Sequence, residues 1–222
     1  MNPIIVVEHL RKHYPNGNVL ALNDVSFEIP SGIIVTVTGK SGCGKTTLLN
    51  MLGGLDKPTS GKVVINSCDI TQMNERHLMD FRATNIGFVF QFFNLLEELT
   101  SEENILFPAA IRKRKVDDDY YKKICDLMDI QRILPKHPAQ LSGGENQRVA
   151  IARALIMQPA VVLMDEPTGN LDEENKLRVS TLISELNEQL GQTFIIVTHD
   201  PELAALGSFR IVMRDGKIDR VI

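Results

Sequence analysis

Residues 33–52 read IIVTVTGKSGCGKTTLLNML, and no other stretch narrows the fold as much. Ile33 to Thr38 is a run of apolar and β-branched residues of the kind that forms a buried parallel strand. It leads directly into Gly39-Lys40-Ser41-Gly42-Cys43-Gly44-Lys45-Thr46, which fits the pattern GxxxxGK[ST] of a phosphate-binding loop. The three glycines permit positive φ and let main-chain N–H groups close around an anion, while Lys45 to Leu52 carries the leucines and methionine of a helix. An anion in the loop then sits on the positive end of that helix. In a nucleotide site Lys45 presents a point charge to the β- and γ-phosphates, and the Thr46 hydroxyl is a ligand of Mg²⁺. The same letters also suit a glycine-rich strand-to-helix turn without a ligand; strand, loop and helix in this order favour nucleotide binding.

With 222 residues the chain makes one domain or at most two, large enough for a sizeable core. It carries 28 acidic against 24 basic side chains, a net charge of −4, so nucleic acid is not expected as a partner: no basic excess is available to displace counterions from phosphate. The basic run Arg112 to Lys115 is followed by Asp117-Asp118-Asp119 and reads as a self-compensating surface. Cys43, Cys68 and Cys125 are far apart and form no CxxC pair, which signals neither a zinc site nor a disulfide framework and fits a reduced cytosolic setting. The N-terminal MNPIIVVEHLRKHY has too short an apolar run for a signal peptide, and no run approaches the roughly 20 residues of a membrane span. Direct membrane insertion is therefore not expected, and a membrane role is expected to run through a partner.

Along the chain, Ile4 to Tyr14 reads as a strand, Asn16-Gly17 as a hairpin turn, and Val25 to Ile29 alternates with period two, so the chain is expected to open with an antiparallel β-layer. Gly53-Gly54 and Pro58 to Gly61 punctuate before a short strand at Lys62 to Asn66. Glu75 to Arg82 suits a helix, and Ile86 to Phe90 a buried strand ending on Gln91. From Phe92 to about Met157 helical spacing takes over: Val116, Tyr120, Ile124, Leu127 and Met128 share one helix face. This region, about 92–157, reads as a helical subdomain inserted into a core of 1–91 and 158–222, all within a single ATP-binding-type domain. Ala160 to Met164 and Phe194 to Val197 are further apolar strands. Leu177, Leu182, Ile183, Leu186 and Leu190 mark a helix capped by Gly191, and a hairpin through Asp215-Gly216 closes the chain. The expected fold is α/β, a phosphate-loop NTPase core with a mainly parallel sheet whose ligands bind at the carboxyl ends of the strands.

Two further stretches carry chemistry. Asp165 and Glu166 follow a buried strand, where a magnesium carboxylate stands in phosphate-loop enzymes. Asp165 is expected to hold Mg²⁺, and Glu166 to polarise an attacking water as general base; an acidic pair that merely terminates a strand is the plainer reading. Leu141-Ser142-Gly143-Gly144-Glu145 places a serine and two glycines at the start of a helix over Asn146 to Met157, a second anion-binding helix terminus or a bare N-cap.

With these stretches in place, the sequence resembles the ATP-binding-cassette (ABC) ATPases over nearly its whole length. The resemblance implies an ATPase that uses ATP and Mg²⁺, with two chains meeting head to tail to sandwich two ATP molecules. It assigns the phosphate loop Gly39, Lys40, Ser41, Gly42, Cys43, Gly44, Lys45, Thr46 and Thr47 to ATP, and Ser142, Gly143, Gly144 and Glu145 to the ATP of the opposite subunit. Tyr14 falls where an aromatic stacks on adenine, Gln91 where a glutamine reaches Mg²⁺ and the transporter contact, and Asp172 in a loop that crosses the dimer. His199 matches a histidine at the γ-phosphate. Read on their own, Tyr14 is also a packing residue, Gln91 a strand terminator and His199 a satisfied polar group. Glu145 departs from the glutamine most common in the family; its carboxylate is expected to turn aside from phosphate, because like charges repel. DEPTGNLD at 165–172, IGFVFQFFNLL at 86–96 and RVAIARAL at 148–155 resemble the lipoprotein-releasing, macrolide-export and antimicrobial-peptide-resistance branch. That resemblance implies a second copy of the chain and an integral-membrane permease as partners, with the chain at the cytoplasmic face of the cell membrane. The alternative is a non-export ABC ATPase that regulates a membrane partner in cell division or signalling.

Overall fold

The computed structural model describes residues 3–15 and 17–222; Asn16 of the expected hairpin turn lies outside the described residues. The chain opens with β1 (Ile5–Tyr14) and β2 (Val19–Ile29), which pair antiparallel and belong to a four-stranded sheet of order β2-β1-β4-β5, with β4 at Ser60–Ile65 and β5 at Cys68–Asp69. In the second half of β2 the period-two pattern works as expected: Val25, Phe27 and Ile29 are buried while Ser26 and Glu28 are exposed. The strand nevertheless begins at Val19, six residues earlier than the alternation predicts. His9 (φ 48) and Asp24 (φ 64) sit in left-handed conformations at register shifts of the β1–β2 ladder. These irregularities shift the phase of the pattern, so one strand reads as two pieces.

The second sheet has six strands in the order β10-β9-β3-β8-β7-β6. Its members are β3 (Ile34–Gly39), β6 (Ile86–Val89), β7 (Val161–Asp165), β8 (Thr193–Val197), β9 (Phe209–Arg214) and β10 (Lys217–Val221). All neighbours pair parallel except the terminal β9–β10 hairpin. The hairpin was legible from Asp215-Gly216, but the parallel pairing of β9 with β3 was not.

Helices bind the two sheets together. α1 (Lys45–Leu52) follows β3, and α2 (Glu75–Asn85), capped by Asn74, runs three residues beyond its expected end directly into β6. Between β6 and β7 the chain forms α3 (Ser101–Ile111), α4 (Asp118–Met128) and α5 (Gly143–Leu155), then continues to α6 (Glu173–Leu190) and the short α7 (Pro201–Ala205). α5 begins three residues before its expected start: Ser142 and Glu145 form a reciprocal capping box that outweighs the poor helix propensity of two glycines. In α6 the buried stripe is Val179, Leu182, Ile183 and Leu186; Leu177, expected on it, is 59% exposed. Leu177 stands five positions before Leu182 rather than three or four, which rotates it off the stripe. Gly191 caps α6 at φ 63.

The inner strands β7 and β8 of the six-stranded sheet are buried on both faces, whereas β10 at its edge is largely exposed. On β7, Val161 and Leu163 join one core with Val37 of β3, Leu48 of α1 and Val63 of the four-stranded sheet, while Val162 and Met164 join a second core with Ile105, Ile124, Ile151 and Ile183 from the helices. β8 divides in the same way, Ile195 and Val197 to one side and Phe194 and Ile196 to the other. Double burial explains why both strands are continuous apolar runs. The resulting order places the C-terminal end of β8 between those of β3 and β7, which is where the motif residues emerge.

Candidate nucleotide-binding site

The phosphate loop turns from β3 into α1 with Gly44 as the N-cap, at φ 103 and without any side-chain cap. A Cβ at Gly44 would collide with the carbonyl oxygen of Ala21, so both the backbone angle and the close approach require glycine. Because no side chain caps α1 and no acidic residue stands in its first turn, the N–H groups and positive end of the helix remain available to an anion. Lys45 Nζ donates to the carbonyl oxygens of Gly39 (2.9 Å) and Lys40 (3.1 Å), so the loop is held around its own ammonium. Cys43 is buried, and its carbonyl accepts from Gly216 N at 3.1 Å, which ties the loop to the β9–β10 turn.

A cleft of about 490 Å³ opens over the loop, walled by Ser41, Gly42, Lys45, Thr46 and Thr47 together with Tyr14, Leu20 and Glu166. The structure thus brings Tyr14 and Glu166, far apart in the sequence, to one cavity. The Tyr14 hydroxyl donates to Asp56 Oδ2 at 2.9 Å, and Lys12 Nζ lies 4.7 Å from the ring centroid.

The carboxylates stand at the end of β7. Burial pushes the Asp165 carboxyl up, the neighbouring Glu166 adds to that, and a hydrogen bond with Thr46 and the charge of Lys45 pull it back. Glu166 has φ 47 and donates its N–H to Val197 O at 2.9 Å, which fixes it against the end of β8. Its Oε2 lies 2.8 Å from His199 Nδ1 and accepts from His199 N at 3.2 Å. The histidine side chain is 72% exposed and the glutamate side chain 17%, so a shielded carboxylate is paired with an accessible imidazole. With Nδ1 donating to Glu166, Nε2 is left for another partner.

Gln91 is not a wall of this cleft. Its carbonyl accepts from Asn170 Nδ2 at 2.8 Å, and its side-chain amide is so close to Gly169 that a Cβ there would stand 2.9 Å from Nε2. Just beyond it Phe92 is 73% exposed, whereas Phe93 packs against the helical core. Ser142, Gly143, Gly144 and Glu145 also lie outside the cleft, at the N-terminus of α5. Glu145 Oε2 accepts from Ser142 N at 2.7 Å and Ser142 Oγ from Glu145 N at 3.3 Å, so the carboxylate is committed to the helix cap. Gly144 packs against the Asn175 side chain, which in turn donates to Asp172, the N-cap of α6.

Sequence reasoning missed Asp56, Lys12, Asn175 and Arg153. The last is a half-buried arginine of α5 that donates to the main chain of Phe93 and Asn94. None belongs to a motif with a spacing of its own; each meets its partner only through strand pairing or helix packing.

A phosphate loop at a helix N-terminus, with the strand-end Glu166 walling its cleft and paired with His199, defines a phosphate-loop nucleoside triphosphatase. The sequence profile of the family described as ABC transporter matches residues 22–169, and the chain belongs to that family as its ATP-binding, ATP-hydrolysing subunit. The "Lipoprotein-releasing system ATP-binding protein LolD" of Treponema pallidum is 40% identical over 99% of each chain. The "ABC transporter ATP-binding protein YtrE" of Bacillus subtilis is 40% identical over 96% of each chain. Among solved structures, a dimeric post-hydrolysis state of the ATP-binding cassette MJ0796 bound to ADP and Pi superposes with a TM-score of 0.87 at 36% identity, covering 98% of this chain and 97% of that one. Among the described residues no helix is long and apolar enough to cross a membrane.

Proposed function

We propose that two copies of the chain close head to tail around two Mg·ATP and so drive an integral-membrane permease of the lipoprotein-release, macrolide-export or peptide-resistance kind. One observation carries the reading: the exposed N-terminus of α5 has the makings of an anion site yet lies outside the cleft of its own phosphate loop. Each site is then finished by Ser142, Gly143 and Gly144 of the second copy. The dimeric title of the MJ0796 structure and the names of the lipoprotein-releasing relatives support the same reading.

In each half, Tyr14 stacks on the base, and the loop from Gly39 to Thr47 holds the phosphates, with Lys45 moving from its two carbonyl partners to the β- and γ-oxygens. The donor set suits Mg²⁺: a hydroxyl and a half-buried carboxylate next to the phosphate site, with no group of three or more His, Cys, Asp or Glu among the described residues that could hold a metal alone. Thr46, Asp165 and Gln91 would hold the ion, whose chemistry there is neutralisation of phosphate charge. Glu166 takes the proton of the attacking water. His199 orients that carboxylate through Nδ1 and offers Nε2 to the γ-phosphate. Asp172 and its loop cross to the second copy. Residues 92–157 act as a helical subdomain, and Gln91 with the exposed Phe92 forms the link to the permease at the cytoplasmic face of the membrane.

Two variants test the reading together. Lys45→Ala is expected to lose ATP binding, whereas Ser142→Arg keeps it and loses ATP-driven dimerisation, as measured by light scattering at defined dilution. Full hydrolysis by monomers at high dilution would overturn the composite site.

A further inference from the structure

Tyr14 is gripped by groups that no phosphate or metal role explains. Its hydroxyl donates to Asp56 Oδ2 at 2.9 Å, while Asp56 Oδ1 accepts from Lys12 Nζ at 2.8 Å. The same ammonium donates to Lys57 O at 2.7 Å and lies 4.7 Å from the ring centroid, within cation–π range. A lysine ammonium has three donor directions, and here two go to oxygen while the ring takes the remainder. The Lys12 side chain is only 12% exposed, so this is a shielded cluster. Burial alone would raise the Asp56 carboxyl, but hydrogen bonds from Lys12, Tyr14 and Lys57 N outweigh it and hold it below the usual carboxylate range. The carboxylate is therefore charged at neutral pH and serves the phenol and the ammonium at once.

We infer that Asp56 is a positioning residue for base recognition. It fixes the Tyr14 ring through its hydroxyl and holds the Lys12 ammonium against one ring face, so that a purine stacks on the opposite face alone. The inference rests on the stacking role proposed for Tyr14. A ring locked in this way loses no rotamer freedom when the base arrives, and that preorganisation appears as affinity.

The test compares Mg·ATP with inorganic tripolyphosphate, which has the phosphates and no base, in equilibrium binding to the full chain. Tyr14→Ala is expected to weaken ATP about tenfold and leave tripolyphosphate unchanged. Asp56→Ala is expected to weaken ATP about threefold or more, raise KM without lowering kcat, and leave tripolyphosphate unchanged. The double variant should match Tyr14→Ala within about a factor of two, because both act through one ring. If Asp56→Ala weakens both probes equally, or neither, the inference is overturned while the role of Tyr14 stands. If Tyr14→Ala binds ATP like the parent, stacking itself fails and the inference falls with it. Should Asp56→Ala not fold, Asp56→Asn, which keeps an acceptor but loses the charge, carries the same comparison.

Discussion

The guanidinium of Arg153, in the last turn of α5, donates to the carbonyl oxygen of Phe93 at 2.8 Å and extends to that of Asn94. Phe93 and Asn94 are both left-handed, at φ 61 and 51, so this half-buried cation holds a backbone bend that asparagine tolerates and phenylalanine does not favour. The bend follows Gln91, and the far end of the same helix carries Ser142. Arg153→Met is expected to destabilise the chain by about 1–2 kcal/mol, since it removes a charged donor from the partly buried carbonyl of Phe93 while water can replace it at Asn94. Urea unfolding measures this, and a midpoint equal to the parent's would contradict it.

Glu166→Gln should keep the contact with His199, because an amide oxygen also accepts from Nδ1, while removing the base. Turnover is expected to fall by about 10²-fold or more with ATP affinity retained. Steady-state hydrolysis and nucleotide binding on one preparation decide the matter: parental turnover would remove Glu166 from the role.

For Glu145 the main-chain N–H of Ser142 holds the carboxyl below the usual range, so its contribution to stability is complete above the unfolded carboxylate pKa of about 4.3 and fades as pH falls through the lowered folded value. Glu145→Gln retains an acceptor for the cap and cannot titrate. The two proteins should differ in melting temperature at pH 7 and converge near pH 3. A difference that does not vary with pH would contradict this account.

Gly144→Ala would drive a methyl into the Asn175 side chain, which itself braces Asp172. ATP binding by the variant's own loop is expected to stay within about twofold, while dimerisation, which needs both α5 and α6 termini, falls by tenfold or more, as overpacked helix contacts do not yield cheaply. Analytical ultracentrifugation with and without ATP reads both states.

Much of this was legible in the sequence where local chemistry decides structure. The strand-loop-helix of residues 33–52, the strand ending at Asp165 and the cap at Gly191 follow from periodicity, glycine placement and apolar runs. The start of β2 was hidden because bulges at His9 and Asp24 shift the pattern's phase. The pairing of β9 with β3 was hidden because parallel neighbours leave no turn to read. The clamp on Tyr14 escaped for a related reason: Asp56 reaches it only because β4 lies beside β1.

The position of β8 has a consequence for biosynthesis. The strand lies between β3 and β7 although it is made after both, so the six-stranded sheet lacks its centre until Val197 has left the ribosome. A nascent chain that already displays its phosphate loop and both carboxylates still has neither His199 nor the strand that sets their spacing. The sheet therefore closes late: the segments that carry the phosphate loop and the carboxylates wait for β8 before their ends are held side by side.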